Sequence, residues 1–389
     1  MEIQAIKKAH NAEIALLILC CRQFIHASPH NGVSGFIQQN HLNWKEVYQL
    51  SKTQRIRPII YQELAPVKDL IGAENLQELR DYAFYFNAVA LNNKRELNRI
   101  LSLLKQHNIS AHPFKGISFA EHIYGKIGAR EFSDNDIIIK ESSIPDVIRV
   151  MLNEGYNSKD IPFYSRFPKH YIRDYKDLLF EKTTGGVRDF AFEFHFKPAR
   201  NFQGYALTFC ELIGQNYLAE NYKYNEIADL KLMVLNNGLM DFYPDLRAVL
   251  DLAVIIKKRN SHIVNDIDPV LNSYLKLGNK LSSELFNNPA APIIIPLNRN
   301  EIKFCDHLQK SILEKKYCKR ISVSLYFFHS IKNSASVSRK IMLIIKFMKL
   351  ILRPNEDDIS SLNLSNYTFY YFTKPFRLIS KAFGVRHKV

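Results

Sequence analysis

The sequence predicts an α+β protein in which a small group of strands lies between two helical regions. Hydrophobic residues make up 47% of the 389 residues, which indicates a folded chain. A long helical pattern fills residues 71–108, and the alternation typical of strands is confined to residues 109–196. We therefore divide the chain into an N-terminal helical region (1–85), a strand-containing core (86–200) and a C-terminal helical region with a basic tail (201–389).

Helical patterns dominate the chain before the strands. In "NWKEVYQLSKTQ", Asn43 is placed to cap a helix, and Asn108 is typical of the residue that ends one. One face of the long helix is predicted to be buried because its apolar residues follow at i, i+3, i+4 and i+7: Leu97, Ile100, Leu101 and Leu104.

The core begins with short elements. "ISAHPF" (109–114) predicts a short extended piece, and "KGISFAEHIYG" (115–125) predicts a turn that enters a short helix ending at Gly125. The apolar run in "EFSDNDIIIK" (131–140) predicts a strand. A helix then begins near Ser143 and ends at Gly155, and its predicted apolar stripe is Val147, Ile148, Met151 and Leu152.

A hairpin is predicted for "DLLFEKTTGGVRDFAFEFHF" (177–196), with its turn at Thr184, Gly185 and Gly186. Side chains alternate along its second strand. One face carries Phe190, Phe192, Phe194 and Phe196, and the other carries Asp189, Ala191, Glu193 and His195. We expect the phenylalanine face to be core, so the polar set lies on the opposite face.

Two carboxylates stand at the head of the strand predicted in 131–140. Asp134 and Asp136 would point the same way, about 6.6 Å apart along the backbone. Two like charges held that close favour a bound cation. Two such aspartates can hold divalent cations that bridge the phosphates of a nucleoside triphosphate.

The residues around this pair are of the types that would bind a metal ion and phosphates. Glu193 would complete the metal site or take the proton from an attacking hydroxyl. The backbone N–H of Gly116 and the cations Lys115 and Arg130 would neutralise phosphates. Ser118 is a candidate phosphate ligand or a helix cap.

Each of these residues also has a structural interpretation. Lys115 would pair with a surface acid, Arg130 would clamp its loop to Asp134, and Glu193 would be an exposed strand residue. His195 would position Glu193, contact a phosphate or serve as a structural hydrogen-bonding residue.

The order of these motifs resembles a bacterial nucleotidyltransferase-like family of the polymerase-β-like nucleotidyltransferase superfamily. "FKGISFAEHIYGKIGAREFSDNDIIIK", "EGY" and "FEFHF" follow its pattern of Lys-Gly, apolar helix, Tyr, Arg, Asp-x-Asp, Gly-Tyr and Glu-x-His-aromatic, and the likeness spans about residues 40 to 260. The resemblance implies a small mixed sheet with helices around it in a catalytic core. It also implies transfer of a nucleotidyl group from an NTP, dependent on Mg²⁺ or Mn²⁺, to a hydroxyl or phosphate of an unidentified small molecule, saccharide, peptide or protein.

Two departures from the family pattern keep a second function open. Asn135 stands where relatives have an apolar residue, so we expect the second face of this strand to be less buried. The stretch "VLNNGLMDFYPDLRAVLD" lacks a histidine that relatives place there. The alternative is a catalytically inactive member that binds an anionic partner through its basic C-terminal region.

Positive charge is concentrated at the C-terminal end. Residues 310–389 contain sixteen Lys or Arg against four acids, which supplies +12 of the net +15. In the helix predicted near 337–353, one stripe is basic: Arg339, Lys346, Lys349 and Arg353. Such a helix can pack with a solvated face, lie on an anionic membrane surface or bind nucleic acid. Nucleic-acid binding is supported by charge alone, so it ranks below binding to a membrane surface.

Cysteine usage and hydropathy favour a cytoplasmic protein, with peripheral contact to the inner membrane face as an alternative. The five cysteines are scattered without a CxxC motif, which fits a reducing compartment. Lysines interrupt the longest apolar stretch, "IMLIIKFMKLIL" (341–352), so we expect no transmembrane segment. The sequence leaves the oligomeric state open.

Overall fold

The sheet has four strands in the order β1-β2-β4-β3. Pairing is antiparallel between β1 and β2 and between β3 and β4, and parallel between β2 and β4. The strands are β1 (Ala111–Pro113), β2 (Asn135–Ile139), β3 (Asp177–Thr184) and β4 (Val187–His195). The small mixed sheet and the α+β class predicted for this chain are confirmed.

The structure is a computed structural model, and it describes residues 1–27, 31–200, 207–219, 226–258, 267–288, 297–314, 327–328, 330–332, 336–354, 358–359, 362 and 364–382. Helices surround the sheet. Those before β1 are α1 (Ile3–Ala9), α2 (Ala12–His26), α3 (Asn31–Gln38), α4 (Trp44–Thr53), α5 (Arg57–Leu64), α6 (Lys68–Ile71) and α7 (Ala73–Gln106). Those between the strands are α8 (Gly116–Phe119), α9 (Ile144–Asn153), α10 (Ile161–Arg166) and α11 (Pro168–Asp174).

Further helices follow the sheet within the described residues. They are α12 (Phe209–Ile213), α13 (Glu226–Met233), α14 (Leu246–Lys258), α15 (Pro269–Phe286), α16 (Arg299–Leu313), α17 (Val337–Leu352) and α18 (Tyr367–Ala382). No helix in the described part of the chain combines the length and apolarity that crossing a bilayer requires.

Local signals fix several element ends. The side chain of Asn43 accepts a hydrogen bond from the backbone N–H of Glu46 and caps α4, as predicted. Asn108, just beyond α7, has a φ of 58°, which ends the helix. The predicted boundary between residues 85 and 86 falls inside α7, and the division into three regions stays a prediction.

The two faces of the sheet belong to two different cores. Ile137 and Ile139 of β2, with Phe192 and Phe194 of β4, pack against α7, α9 and the helices before β3. On the other face, Ile138 belongs to a larger core that includes the N-terminal helices and α14 to α16. The polar face of β4 is covered at Ala191 and His195, which are buried, whereas Asp189 is exposed and Glu193 is partly buried. Glu193 therefore lies at the boundary between the sheet and the helices.

Two burial predictions were wrong. Asn135 is only 1% exposed, and its amide Nδ2 donates a 3.1 Å hydrogen bond to Oδ1 of Asn93 in α7. The helix covers the strand at this point, and an amide pair takes the place of an apolar contact. In α9 the buried stripe includes Ile144 and Val150, whereas Leu152 is 44% exposed, because the helix turns that residue away from the sheet.

Candidate active site

The parallel pairing of β2 with β4 gathers three of the predicted site residues. Asp136 lies opposite Glu193 in this register, and His195 follows two residues later on the same face of β4. The imidazole Nε2 of His195 lies 2.9 Å from Asp136 Oδ1 and 3.3 Å from Glu193 Oε2. Candidate ligand atoms of the three side chains all lie within 4.8 Å of one another, so the group is compact enough to hold a metal ion.

Lys115 pairs with the same aspartate. Its Nζ lies 3.0 Å from Asp136 Oδ1. Burial alone would raise the pKa of Asp136, but Lys115 and the hydrogen-bonded His195 hold it well below its usual range. Burial also opposes ionisation of Glu193, yet the His195 hydrogen bond and the charge of Lys176 lower its pKa. Both acids are therefore carboxylates at neutral pH, as oxygen ligands of a cation must be.

Asp134 behaves differently from these two acids. It lies one residue before β2 and lines the same cavity, but it is outside the three-residue group found among the described residues. Burial and the negative charges of Asp136 and Glu193 raise the pKa of Asp134 to about 6. A cation bound beside it would stabilise its ionised form. Its role as a metal ligand stays a prediction.

Gly116 allows the segment after β1 to approach the carboxylates. Its φ is +50°, and a Cβ atom at this position would lie 2.7 Å from the carbonyl oxygen of Asp134. Glycine alone fits there without a shift of the backbone. The Lys-Gly pair thus has a local explanation, since the lysine reaches Asp136 while the glycine permits the close approach. Ser118 lies within α8 and, among the described residues, does not line the cavity.

The guanidinium of Arg130 is bound by an acid that sequence analysis did not identify. Its Nε and Nη2 donate hydrogen bonds of 2.8 and 2.9 Å to the two carboxylate oxygens of Asp251 in α14. The hydroxyl of Tyr124 and the amide of Asn237 also donate to this carboxylate. Arg130 therefore clamps its loop to α14 rather than to Asp134, and it still lines the cavity.

The surroundings of His195 favour a positioning role. The ring is 1% exposed, and the edge of Phe114 packs against it at 4.9 Å between centroids. The ammonium of Lys176 lies 3.3 Å from Nδ1. Because an ammonium only donates, Nδ1 accepts, and the ring proton on Nε2 is donated to Asp136. His195 thereby holds Asp136 and Glu193 in place.

A cavity of about 880 Å³ joins the carboxylates to a basic wall. Sequence analysis missed the cations of this wall, which are Lys52, Arg55, Arg57, Lys176, Arg200 and Arg247. Two of these cations, Arg200 and Arg247, have a buried Nε that makes no hydrogen bond within the described residues. For Arg247 the surrounding charge is also unfavourable. Burial and the charges of Arg130 and Arg55 lower its pKa. The spacing in "LRAVLD" (246–251) could have indicated that these residues act together, since it places Arg247 one helical turn before Asp251.

Comparison with known proteins identifies a family that fits the chemistry of this site. No curated protein and no solved structure matched the chain. A family model described as "Uncharacterised nucleotidyltransferase" matches residues 40–269, which is more than half of the 389 residues and includes every predicted site residue. The chain therefore belongs to this nucleotidyltransferase family.

Proposed function

We propose that this protein transfers a nucleotidyl group from a nucleoside triphosphate to a hydroxyl or phosphate of an acceptor, with Mg²⁺ or Mn²⁺ as cofactor. The observation that carries the proposal is the juxtaposition of ionised Asp136 and Glu193 with a basic cavity wall. Family membership supports the same reaction class. The acceptor is a small molecule, saccharide, peptide or protein.

The donor set suits a hard divalent cation. Asp136 and Glu193 offer carboxylate oxygens, which Mg²⁺ and Mn²⁺ prefer as ligands. Both side-chain contacts of Asp136 use Oδ1, so among the described residues its Oδ2 is left for the cation. A bound cation of this kind neutralises and polarises phosphate oxygens. Asp134, whose ionised form is the least stabilised of the three acids, would complete the site.

The protonation states separate the roles of the acids. The lowered pKa of Glu193 makes it a weak base at neutral pH, which favours metal binding over proton abstraction for this residue. Lys115 orients Asp136 and adds a positive charge beside it. His195 contacts both carboxylates through its Nε2 and fixes their positions.

Phosphate binding falls to the cations and the backbone around the cavity. Arg130 gives Nε and Nη2 to Asp251, so among the described contacts Nη1 is left for a phosphate oxygen. The unpaired Nε of Arg247 lies in the same wall. Gly116 lines the cavity, so its N–H is a further candidate. The hydroxyl of Ser118 is a candidate from the sequence pattern alone, because Ser118 is not among the described residues that line the cavity.

Calorimetry with ATP, GTP, CTP and UTP, each with and without Mg²⁺, tests the proposal. The wild type should bind at least one nucleotide only when Mg²⁺ is present, and Asp134→Asn/Asp136→Asn should abolish that binding. Asp81→Asn/Asp146→Asn is the matched control, because it removes two exposed carboxylates outside the cavity and should leave binding unchanged. Nucleotide binding that ignores Mg²⁺, or none at all, would instead favour an inactive protein that holds an anionic partner through its basic C-terminal region.

A further inference from the structure

The helix α17 packs one face on the protein and leaves another uncovered. Leu343, Phe347 and Leu350 pack against the larger core, and the ring of Phe327 lies 4.9 Å from that of Phe347. At 100° per residue, six other apolar side chains fall within an arc of about 120°. In the described structure they are 38% to 71% exposed: Val337, Ile341, Ile344, Ile345, Met348 and Ile351. We call these six residues the apolar face of α17.

Cations border this apolar face, and acids are absent from the helix. At 100° per residue, Lys340 lies beside one edge of this face and Lys349 lies beside the other, whereas Arg339 and Lys346 lie on the opposite side of the helix. The sequence from residue 336 to residue 353 contains neither Asp nor Glu. The neighbouring helix α18 adds Phe369, Phe372 and Phe376, which are 54%, 69% and 74% exposed. Exposed apolar surface thus lies directly beside positive charge that no acid of the same helix offsets.

We propose that the apolar face of α17 binds the surface of an anionic lipid bilayer. A bilayer offers an apolar layer directly beneath negatively charged headgroups, and basic amphipathic helices use both features. Nucleic acid would engage the cations but gives six uncovered aliphatic side chains no partner. A second copy related by a two-fold axis would bring two basic edges together, with no acid on the helix to pair with them.

The proposed surface is joined to the candidate active site. At the end of α17, the guanidinium of Arg353 lies 4.8 Å above the ring of Tyr175 and donates a 2.8 Å hydrogen bond to the carbonyl oxygen of Asp174. Tyr175 lines the cavity. Since the 16 residues of α17 span about 24 Å, a bilayer bound to this helix would lie close to the cavity wall.

Vesicle co-sedimentation of the full chain tests the proposal. The wild type should sediment with vesicles of phosphatidylcholine and phosphatidylglycerol, and much less with phosphatidylcholine alone. Ile344→Glu/Met348→Glu should abolish sedimentation. Leu91→Glu/Leu152→Glu, which replaces two side chains of similar exposure on α7 and α9, should bind like the wild type. Lys340→Gln/Lys349→Gln, which removes the two cations beside the apolar face, should weaken binding on the order of fivefold per lysine.

Three outcomes would overturn the proposal. One is that the wild type fails to sediment with anionic vesicles. The second is that Ile344→Glu/Met348→Glu binds as well as the wild type while its circular dichroism is unchanged. The third is that sedimentation velocity shows a wild-type dimer that the same variant dissociates, because a second copy would then cover the apolar face. The proposal does not depend on nucleotide transfer, so calorimetry with nucleotides leaves it unaffected.

Discussion

Gly116→Ala tests the close approach that places the carboxylates. The substitution puts a Cβ atom 2.7 Å from the carbonyl oxygen of Asp134, at a backbone φ of +50°. Gly125→Ala is the matched control, since Gly125 ends the same short helical segment at a φ of +70° and has nothing within 4 Å of the added atom. The two variants share the conformational cost and differ in the contact with Asp134.

The structure sets the expected sizes of the two effects. A side chain forced into the left-handed region costs about 1–2 kcal/mol, which is the whole expected loss for Gly125→Ala. For Gly116→Ala the added atom must retreat by several tenths of an ångström against backbone. Overpacking of this kind costs a further 1–3 kcal/mol, approximately. We therefore expect Gly116→Ala to lose about 2–5 kcal/mol of unfolding free energy.

Urea denaturation followed by the fluorescence of Trp44, the single tryptophan, measures these losses. The shift of Asp134 should also lower Mg²⁺-dependent nucleotide affinity by at least about tenfold, because it displaces a residue that we propose as a metal ligand. Gly125→Ala should keep that affinity. Equal stability losses for the two variants would show that the contact with Asp134 is absent, and unchanged nucleotide affinity in Gly116→Ala would show that it does not position the site.

Three further substitutions probe the charges of the cavity. Asp134→Asn removes a carboxyl whose pKa is raised to about 6. The folded state binds this proton more tightly than the unfolded chain does, so ionisation of the carboxyl destabilises the folded state. This loss of stability is complete above about pH 6 and absent below about pH 4. The metal-free variant should therefore be more stable than the wild type at about pH 8 and equal to it at about pH 4 in urea denaturation, and equal stability at both would refute this account. Asp251→Asn should lower the free energy of unfolding by about 3–5 kcal/mol, because the buried guanidinium of Arg130 loses its charged partner. A loss of less than about 1 kcal/mol in urea denaturation would contradict this expectation. Arg247→Met removes a buried cation with an unpaired Nε, so the metal-free variant should melt at a higher temperature than the wild type. Calorimetry should show about tenfold weaker binding of inorganic tripolyphosphate to the variant. Unchanged binding would exclude Arg247 from the phosphate site.

Features with a local physical cause could be predicted from the sequence. The alternation along β4 separates Phe192 and Phe194 from Glu193 and His195, because successive strand side chains point to opposite faces. The turn at Gly185 and Gly186 has positive φ at both residues, as a tight hairpin requires. The period and the turn residues act over a few positions, so no distant part of the chain is needed to interpret them.

The order of the motifs also predicted the family and most of the residues of the candidate site. Lys115, Gly116, Asp134, Asp136, Glu193 and His195 all line the cavity or contact its carboxylates. A fixed set of residue types in a fixed order identifies the reaction class, because nucleotidyl transfer needs carboxylates for a cation and positive charges for phosphates. The sequence alone could therefore name these residues without showing which of them meet.

Only the tertiary structure decided the partners. Asp251 binds Arg130 from 121 residues away, and the amide of Asn135 pairs with Asn93 because α7 covers that end of β2. The register of two strands that are distant in sequence sets Asp136 against Glu193. These contacts depend on how helices and strands dock, and docking is governed by the shape and burial of whole surfaces, which local periodicity and spacing do not encode.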